Sequence, residues 1–166
     1  MASRSHKSVV EEIGQRTARN ADPYLPKGGC KEATFCSECG AVYRNKRWSA
    51  GEAMTAPAGI HEILCPACLR MHDHNPAGVV TLSGDYLQQK FDAIMHDIKH
   101  IEAKFRQKNP LGRIMDIDKA DGHLIVSTTE DKLAEKMGRE IYKAHKGKLH
   151  YQWAHDQELV RVSWSR

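Results

Sequence analysis

Apolar residues return every three or four positions from Leu87 through Phe91, Ile94, Ile98 and Ile101 to Phe105, the spacing of one buried face of an α-helix. The stripe predicts a long helix that begins after Ser83-Gly84-Asp85, where turn and capping residues stand, and ends at Asn109-Pro110. A second stripe, Leu133, Met137 and Ile141, predicts another helix that Thr128 or Thr129 can cap. Glu130 and Asp131 sit in its first turn, and Lys143, His145, Lys146 and Gly147 close it, as the helix dipole favours. Around the helices the pattern shortens to runs fit for strands at Val79 to Leu82, Arg113 to Asp118, His123 to Thr128, Lys148 to Trp153 and Leu159 to Trp164. Ala120-Asp121-Gly122 makes a tight turn, and His155-Asp156-Gln157 joins the two strands that follow the second helix. Strand-helix-strand-strand-helix-strand, with one strand more, is the split βαβ order of ferredoxin-like folds.

The N-terminal half reads differently. Residues 1–34 carry Pro23, Pro26 and Gly28-Gly29 and show no clean period beyond a short turn around Val9 to Ile13, which predicts a basic, irregular tail. Residues 35–77 hold four cysteines, a short hydrophobic element at Val42-Tyr43 and loop residues that include Pro57, Gly59, Pro66 and Pro76. The regular pattern starts at Gly78, so the chain divides into the tail, a small metal-organised module over 35–77 and a sheet domain over 78–166. The predicted class is α+β: a four-cysteine zinc-ribbon-like module followed by a ferredoxin-like sheet domain.

Cys36 and Cys39, then Cys65 and Cys68, form two CxxC pairs whose two-residue spacers let both sulfurs of each pair converge on one tetrahedral ion. Four thiolates make a closed set for one structural Zn2+ with no position left for water or substrate. The twenty-five residues between the pairs exceed ordinary ribbon spacing, so a longer hairpin arm or inserted loop is expected. The competing reading is a redox or disulfide role. Cys30 reads as a free thiol in a loop. His72 and His74 follow Cys68 closely enough to replace a ligand, but fit an exit loop better. His96 and His100, four apart on the long helix, lie off its apolar stripe and read as exposed surface.

Charge changes the picture only locally. A net charge of +4 over 166 residues permits a nucleic-acid partner without requiring one. Arg44, Lys46, Arg47 and Trp48 follow the first cysteine pair and combine cations with an aromatic ring as phosphate and base contacts require. The bland counterpart is a solvated hairpin tip with Trp48 packed against the metal module. Arg70 beside the second pair extends the same surface, and Lys27 and Lys31, with Arg16 and Arg19, add positive charge in the tail. Val160, Val162 and Trp164 share one strand face, which leaves Arg161 on the open side of the sheet. The strands VVTL and HLIVST carry no Phe or Tyr, so base stacking in the manner of an RNA-recognition motif is not expected.

The paired cysteines followed by PAGVVTLSGDYL, NPLGRIMDI, STTEDKLAEKMG and ELVRVSWSR resemble the family of the large-ribosomal-subunit export adaptor, nonsense-mediated-decay protein three. The resemblance runs from residue 36 to the end, and its most telling pieces are Thr128-Thr129 before Leu133-Ala134 and the strand around Arg161, Val162 and Trp164. Larger members have further zinc knuckles or downstream domains, so this chain looks like a compact bacterial-type relative. The resemblance implies a ribosome-associated RNA-binding protein, a stress or hibernation factor on large-subunit ribosomal RNA near the transfer-RNA sites. The alternative is a zinc-containing protein-interaction or redox-sensing module. No nucleophile-base set or phosphate-cradling glycine loop is visible, so neither an enzyme nor a small-molecule substrate is expected. No signal-peptide core or membrane-length apolar run occurs, which leads to the expectation of a cytoplasmic protein without a membrane partner.

Overall fold

The computed structural model describes residues 9–14, 22–51, 56, 58–154 and 158–166. Among these residues the chain is a mixed α+β protein with ten strands in two sheets and four helices. In chain order the elements are β1 (Val9–Ile13), β2 (Thr34–Cys36), β3 (Val42–Arg44), β4 (Arg47–Ser49), β5 (His61–Ile63) and α1 (Pro66–His72). There follow β6 (Gly78–Ser83), α2 (Asp85–Gln89), α3 (Phe91–Lys108), β7 (Ile114–Ala120), β8 (His123–Thr128), α4 (Asp131–His145), β9 (Lys148–Trp153) and β10 (Val160–Ser165).

The larger sheet runs β1-β9-β10-β6-β8-β7, and α3 and α4 lie on one of its faces. Val80, Leu82, Leu124, Val126, Val160, Val162 and Trp164 from the strands meet Leu87, Ile94, Ile98, Leu133, Met137 and Ile141 from the helices in one core. Where α4 crosses β10, a Cβ on Gly138 would lie 2.5 Å from Val162 Cγ1, so only glycine lets this helix sit so near the sheet there. The β7–β8 turn is built as its Asp-Gly pair demands, with φ of 51° at Asp121 and 77° at Gly122. Alternation along β10 is as expected: Arg161 and Ser163 are exposed on the side away from the helices.

Four features differ from the sequence reading. Val9–Ile13 is a strand, β1, paired parallel to β9 at the sheet edge, where an irregular tail was expected. The long helix is interrupted at Lys90 (φ −119°, ψ 24°), although Lys90 N still donates to Tyr86 O and Ile94 N to Lys90 O, so the apolar stripe continues across the break. Neither threonine caps α4. Thr128 Oγ1 donates to Gly78 O and Glu130 O, Thr129 Oγ1 bonds the 111–113 loop, and Glu130 occupies the cap position with no side-chain bond. Finally, β10 lies between β9 and β6, antiparallel to β9 and parallel to β6, so the simple ferredoxin-like order is interrupted by one inserted strand. The His155-Asp156-Gln157 link and Pro57 fall outside the described residues.

Candidate metal centre

Two local structures deliver the four cysteines. Cys36 ends β2, and the chain turns back at once: Cys36 N donates to Ala41 O (2.8 Å) and Gly40 N to Cys36 O (3.0 Å), with Gly40 at φ 75°. Cys65 is the N-cap of α1, its Sγ accepting from Cys68 N at 3.4 Å, and Pro66 opens the helix. The long interval between the pairs becomes the β3–β4 hairpin and a crossover, after which β5 returns parallel to β2 with Ile63 opposite Cys36. That register sets Cys65 beside the first pair, and its backbone N donates to Cys36 Sγ at 3.2 Å.

All four Sγ atoms lie within 4.8 Å of one another. Cys36 and Cys68 are 3.8 Å apart and Cys39 and Cys65 3.7 Å. Sulfurs held tetrahedrally about 2.3 Å from one ion stand about 3.8 Å apart, so the arrangement could hold a metal ion. A disulfide needs sulfurs about 2.05 Å apart, and none of the five cysteines is in one. Cys36, Cys65 and Cys68 are buried and Cys39 is exposed.

The acidities fit the same reading. With thiols alone, the Cys39 thiol is held down to about 4, first by a hydrogen bond from Cys65, while burial works against it. Cys65 is pushed up, first by that hydrogen bond and then by burial, and burial raises Cys68 to about 11. A bound dication would allow all four sulfurs to be thiolates. Cys30 lies apart from the cluster, half-buried, its thiol raised by burial.

Arg113 is the functional residue that the sequence reading missed. Its Nη2 donates to Cys65 Sγ at 3.4 Å and Cys68 Sγ at 3.3 Å. Burial opposes its charge, but the hydrogen bonds and charge of the thiols outweigh that and raise its pKa. It reaches the cluster because Thr129 anchors the 111–113 loop, accepting from Arg113 N (2.8 Å) and donating its own N–H to Arg113 O (2.9 Å). Leu111 from the same loop packs against the cysteines with Ala41, Ala67, Trp48 and Leu64. The sheet domain thus forms one wall of the metal module.

The basic candidates separate into three groups. Arg44, Lys46 and Arg47 are exposed on the β3–β4 hairpin, whose tip turns through Asn45 and Lys46 at φ 51° and 60°. Asn45 N donates to Glu32 Oε2 (3.1 Å), and Gly29 lies against the Tyr43 hydroxyl, so the loop bearing exposed Lys27 and Lys31 runs beside the hairpin. Trp48 is half-buried, edge-on to Tyr43 at 5.5 Å and against the cysteine cluster, which makes it a support for the hairpin more than a free stacking surface. Arg70 is a correction: it is 3% exposed, pairs with Asp22 (2.9 Å) and Glu158 (3.1 Å), and stacks over Tyr24, so its guanidinium is not offered to phosphate. Arg161 is exposed but belongs to the other sheet. Arg16 and Arg19 lie outside the described residues.

Among the described residues the thiol cluster includes no histidine. His72 Nε2 meets Glu38 Oε2 at 2.8 Å on the surface. His96 and His100 are exposed and stacked, with centroids 6.3 Å apart. Among the described residues no helix is long and apolar enough to cross a membrane. Comparison of the chain with protein-family models, curated proteins and solved structures finds no match.

Proposed function

We propose that Cys36, Cys39, Cys65 and Cys68 hold one structural zinc ion, and that the ion supports a basic hairpin with which the protein binds RNA. The observation that carries this reading is the mounting of that hairpin. Arg44, Lys46 and Arg47 project from two strands whose Trp48 rests on the buried cysteine cluster, and Lys31 and Lys27 approach from the adjoining loop. Cations on a rigid platform lose less freedom on meeting phosphates than cations on a loose tail. A closed set of four thiolates supports a structural role for the ion over a catalytic one.

The partner we infer is the large ribosomal subunit, with ribosomal RNA near the transfer-RNA sites, and the role that of a stress or hibernation factor. Support comes from the cationic hairpin and from the sequence resemblance, which is an analogy. On this reading the sheet domain is a ferredoxin-like unit of β6, β7, β8 and β9 with α3 and α4, widened by β10. Sucrose-gradient sedimentation of lysates from growing and starved cells tests the proposal. Co-migration with large subunits or whole ribosomes, lost at high salt, is the expected result. Migration at the top of the gradient in every growth state would overturn it.

A second reading draws on the exposure of Cys39 beside three buried partners. An oxidant reaching that sulfur would release the ion and unfold the module. Zinc release by mild peroxide, at concentrations that leave buried thiols intact, distinguishes this sensor from a purely structural site.

A further inference from the structure

The face of the large sheet opposite α3 and α4 carries a trough of about 610 Å³. Its floor comes from two neighbouring strands. Thr81 and Ser83 of β6 alternate with buried Val80 and Leu82, and Ser163 and Ser165 of β10 alternate with buried Val162 and Trp164, so all four hydroxyl residues point away from the helices. The parallel register sets Ser163 opposite Thr81 and Ser165 opposite Ser83, which gathers them into a square. Longer side chains stand on both sides. Lys148 and His150 of β9 lie opposite Ser165 and Ser163, and His123 of β8 adjoins the Leu124 that pairs with Leu82. Short residues between long ones leave the depression, and they meet only because β10 lies between β9 and β6.

These groups are not tied up in the fold. Among the described residues the hydroxyls of Thr81, Ser163 and Ser165 and the ammonium of Lys148 have no hydrogen-bond or ion-pair partner. Ser83 Oγ makes one long bond, to Trp164 O at 3.5 Å. His123 Nδ1 donates to Asp121 O at 3.0 Å, which leaves its Nε2 unbonded. On the rim, Glu11 Oε2 lies 3.3 Å from His150 Nδ1, so that carboxylate is drawn to the imidazole. Trp164 is 1% exposed and offers no stacking face. The only group of His, Cys, Asp and Glu spaced for a cation, among the described residues, is the cysteine cluster. The trough is thus a set of unoccupied donors beside a positive charge.

We infer that this trough binds a terminal phosphate group. Such a group presents three oxygens, which suit a floor of hydroxyl donors, and Lys148 supplies the opposite charge. Glu11 opposes the anion from the rim. The volume exceeds what the phosphate itself fills, which leaves room for part of the molecule that carries it. The same chemistry is found in a free phosphorylated small molecule and at the 5′-phosphate end of an RNA. The inference goes beyond the hairpin reading and stands without it, because it uses no residue of the metal module.

Amide NMR titration of the zinc-loaded full chain tests it, with inorganic phosphate, adenosine monophosphate, and a short RNA carrying either a 5′-phosphate or a 5′-hydroxyl. The expected result is saturable shifts at residues 81–83, 148–150 and 163–165 with inorganic phosphate, and none with potassium chloride of equal ionic strength. Lys148→Ala should weaken binding by about tenfold or more, Thr81→Val with Ser163→Val should also weaken it, and Glu11→Gln should strengthen it. These side chains all lie on the uncovered face, and valine favours a strand, so the variants keep the fold. The same shifts from adenosine monophosphate identify a free small molecule as a source, and from the 5′-phosphorylated RNA alone an RNA end. Shifts that chloride or the 5′-hydroxyl RNA reproduces, unchanged affinity in Lys148→Ala, or no saturable shift with any probe overturns the proposal.

Discussion

The guanidinium of Arg113 donates to the sulfur of Cys68 at 3.3 Å, across the boundary between the metal module and the sheet domain. Four thiolates around a dication carry a net charge of −2, and this cation offsets part of it in a partly buried setting. Arg113→Met should weaken zinc binding by about 10- to 100-fold, with Arg113→Lys recovering part of the loss. Competition against a chromophoric chelator measures both. Unchanged affinity in the Met variant would reduce Arg113 to a spacer.

Removal of a ligand should act on folding directly. Cys36 is fully buried and its sulfur accepts the Cys65 N–H, so Cys36→Ser is expected to abolish stoichiometric zinc and cost on the order of 4 kcal/mol or more. Metal analysis together with thermal unfolding checks this. Chelation of the wild-type protein should reproduce the effect, and retention of one zinc per chain by the variant would contradict it.

Arg70 ties two distant parts of the chain, at Asp22 and Glu158, to its own segment, where it also donates to the carbonyl of Asn75. Arg70→Ala leaves the buried Asp22 carboxylate without its cation, and breaking a buried pair in this way costs about 3–5 kcal/mol. Urea denaturation measures the loss. A change below 1 kcal/mol, the usual range of surface pairs, would mean that the cluster is effectively solvated.

The same cluster should make stability depend on pH. Glu158 is pushed up from 4.5 to about 8, first by burial and then by the negative charges of Asp22 and Asp131, which the Arg70 charge does not outweigh. Glu130 is raised to about 7, by burial first, then by Asp131 and Asp22, against Arg70 and Lys132. A carboxyl with a raised folded pKa binds its proton more tightly in the folded state. Its stabilising contribution is full below about 4.5 and is lost as pH rises through about 7 to 8. Glu158→Gln should therefore gain on the wild type between pH 5 and pH 8 in urea titrations of the zinc-loaded protein. A stability difference that stays flat over that window would refute the assignment.

For the hairpin, replacing Arg44, Lys46 and Arg47 together by Ala should weaken RNA binding without affecting zinc. Loss of three phosphate contacts lowers the slope of log K against log salt by about 2 for single-stranded RNA. Filter binding over a salt series measures it, and an unchanged slope would move the contact surface to Arg161 and the open sheet face. Arg70→Ala, by contrast, should leave the slope as it was in protein that remains folded.

Elements governed by local pattern were legible in the sequence. The α4 stripe, the Asp121-Gly122 turn and the alternation of β10 depend on neighbours within a few residues, and all stand where periodicity placed them. The four cysteines were legible because ligand chemistry fixes their spacing, and they come together. What was missed depends on distant partners. β1 is a strand only because β9 offers it an edge, and Thr129 serves the 111–113 loop in place of the helix cap that its position suggests. Arg70 and Arg113 look alike in sequence to surface cations, and only the carboxylates and sulfurs brought from elsewhere in the chain give them their roles. The insertion of β10 is of the same kind, since periodicity gives a strand's faces but not its neighbours.

That inserted strand governs the order in which the protein can assemble. Because β10 separates β9 from β6, the two halves of the large sheet share no ladder until residues 160–165 have been synthesised and are free to enter between them. All four clustered cysteines are synthesised much earlier, by α1, although Leu111 and Arg113, which pack on them, come later. During synthesis the chain would therefore pass through a stage in which the four cysteines can already come together while the unfinished sheet exposes two unpaired edges. In that interval the nascent chain is most exposed to mispairing and most dependent on chaperones.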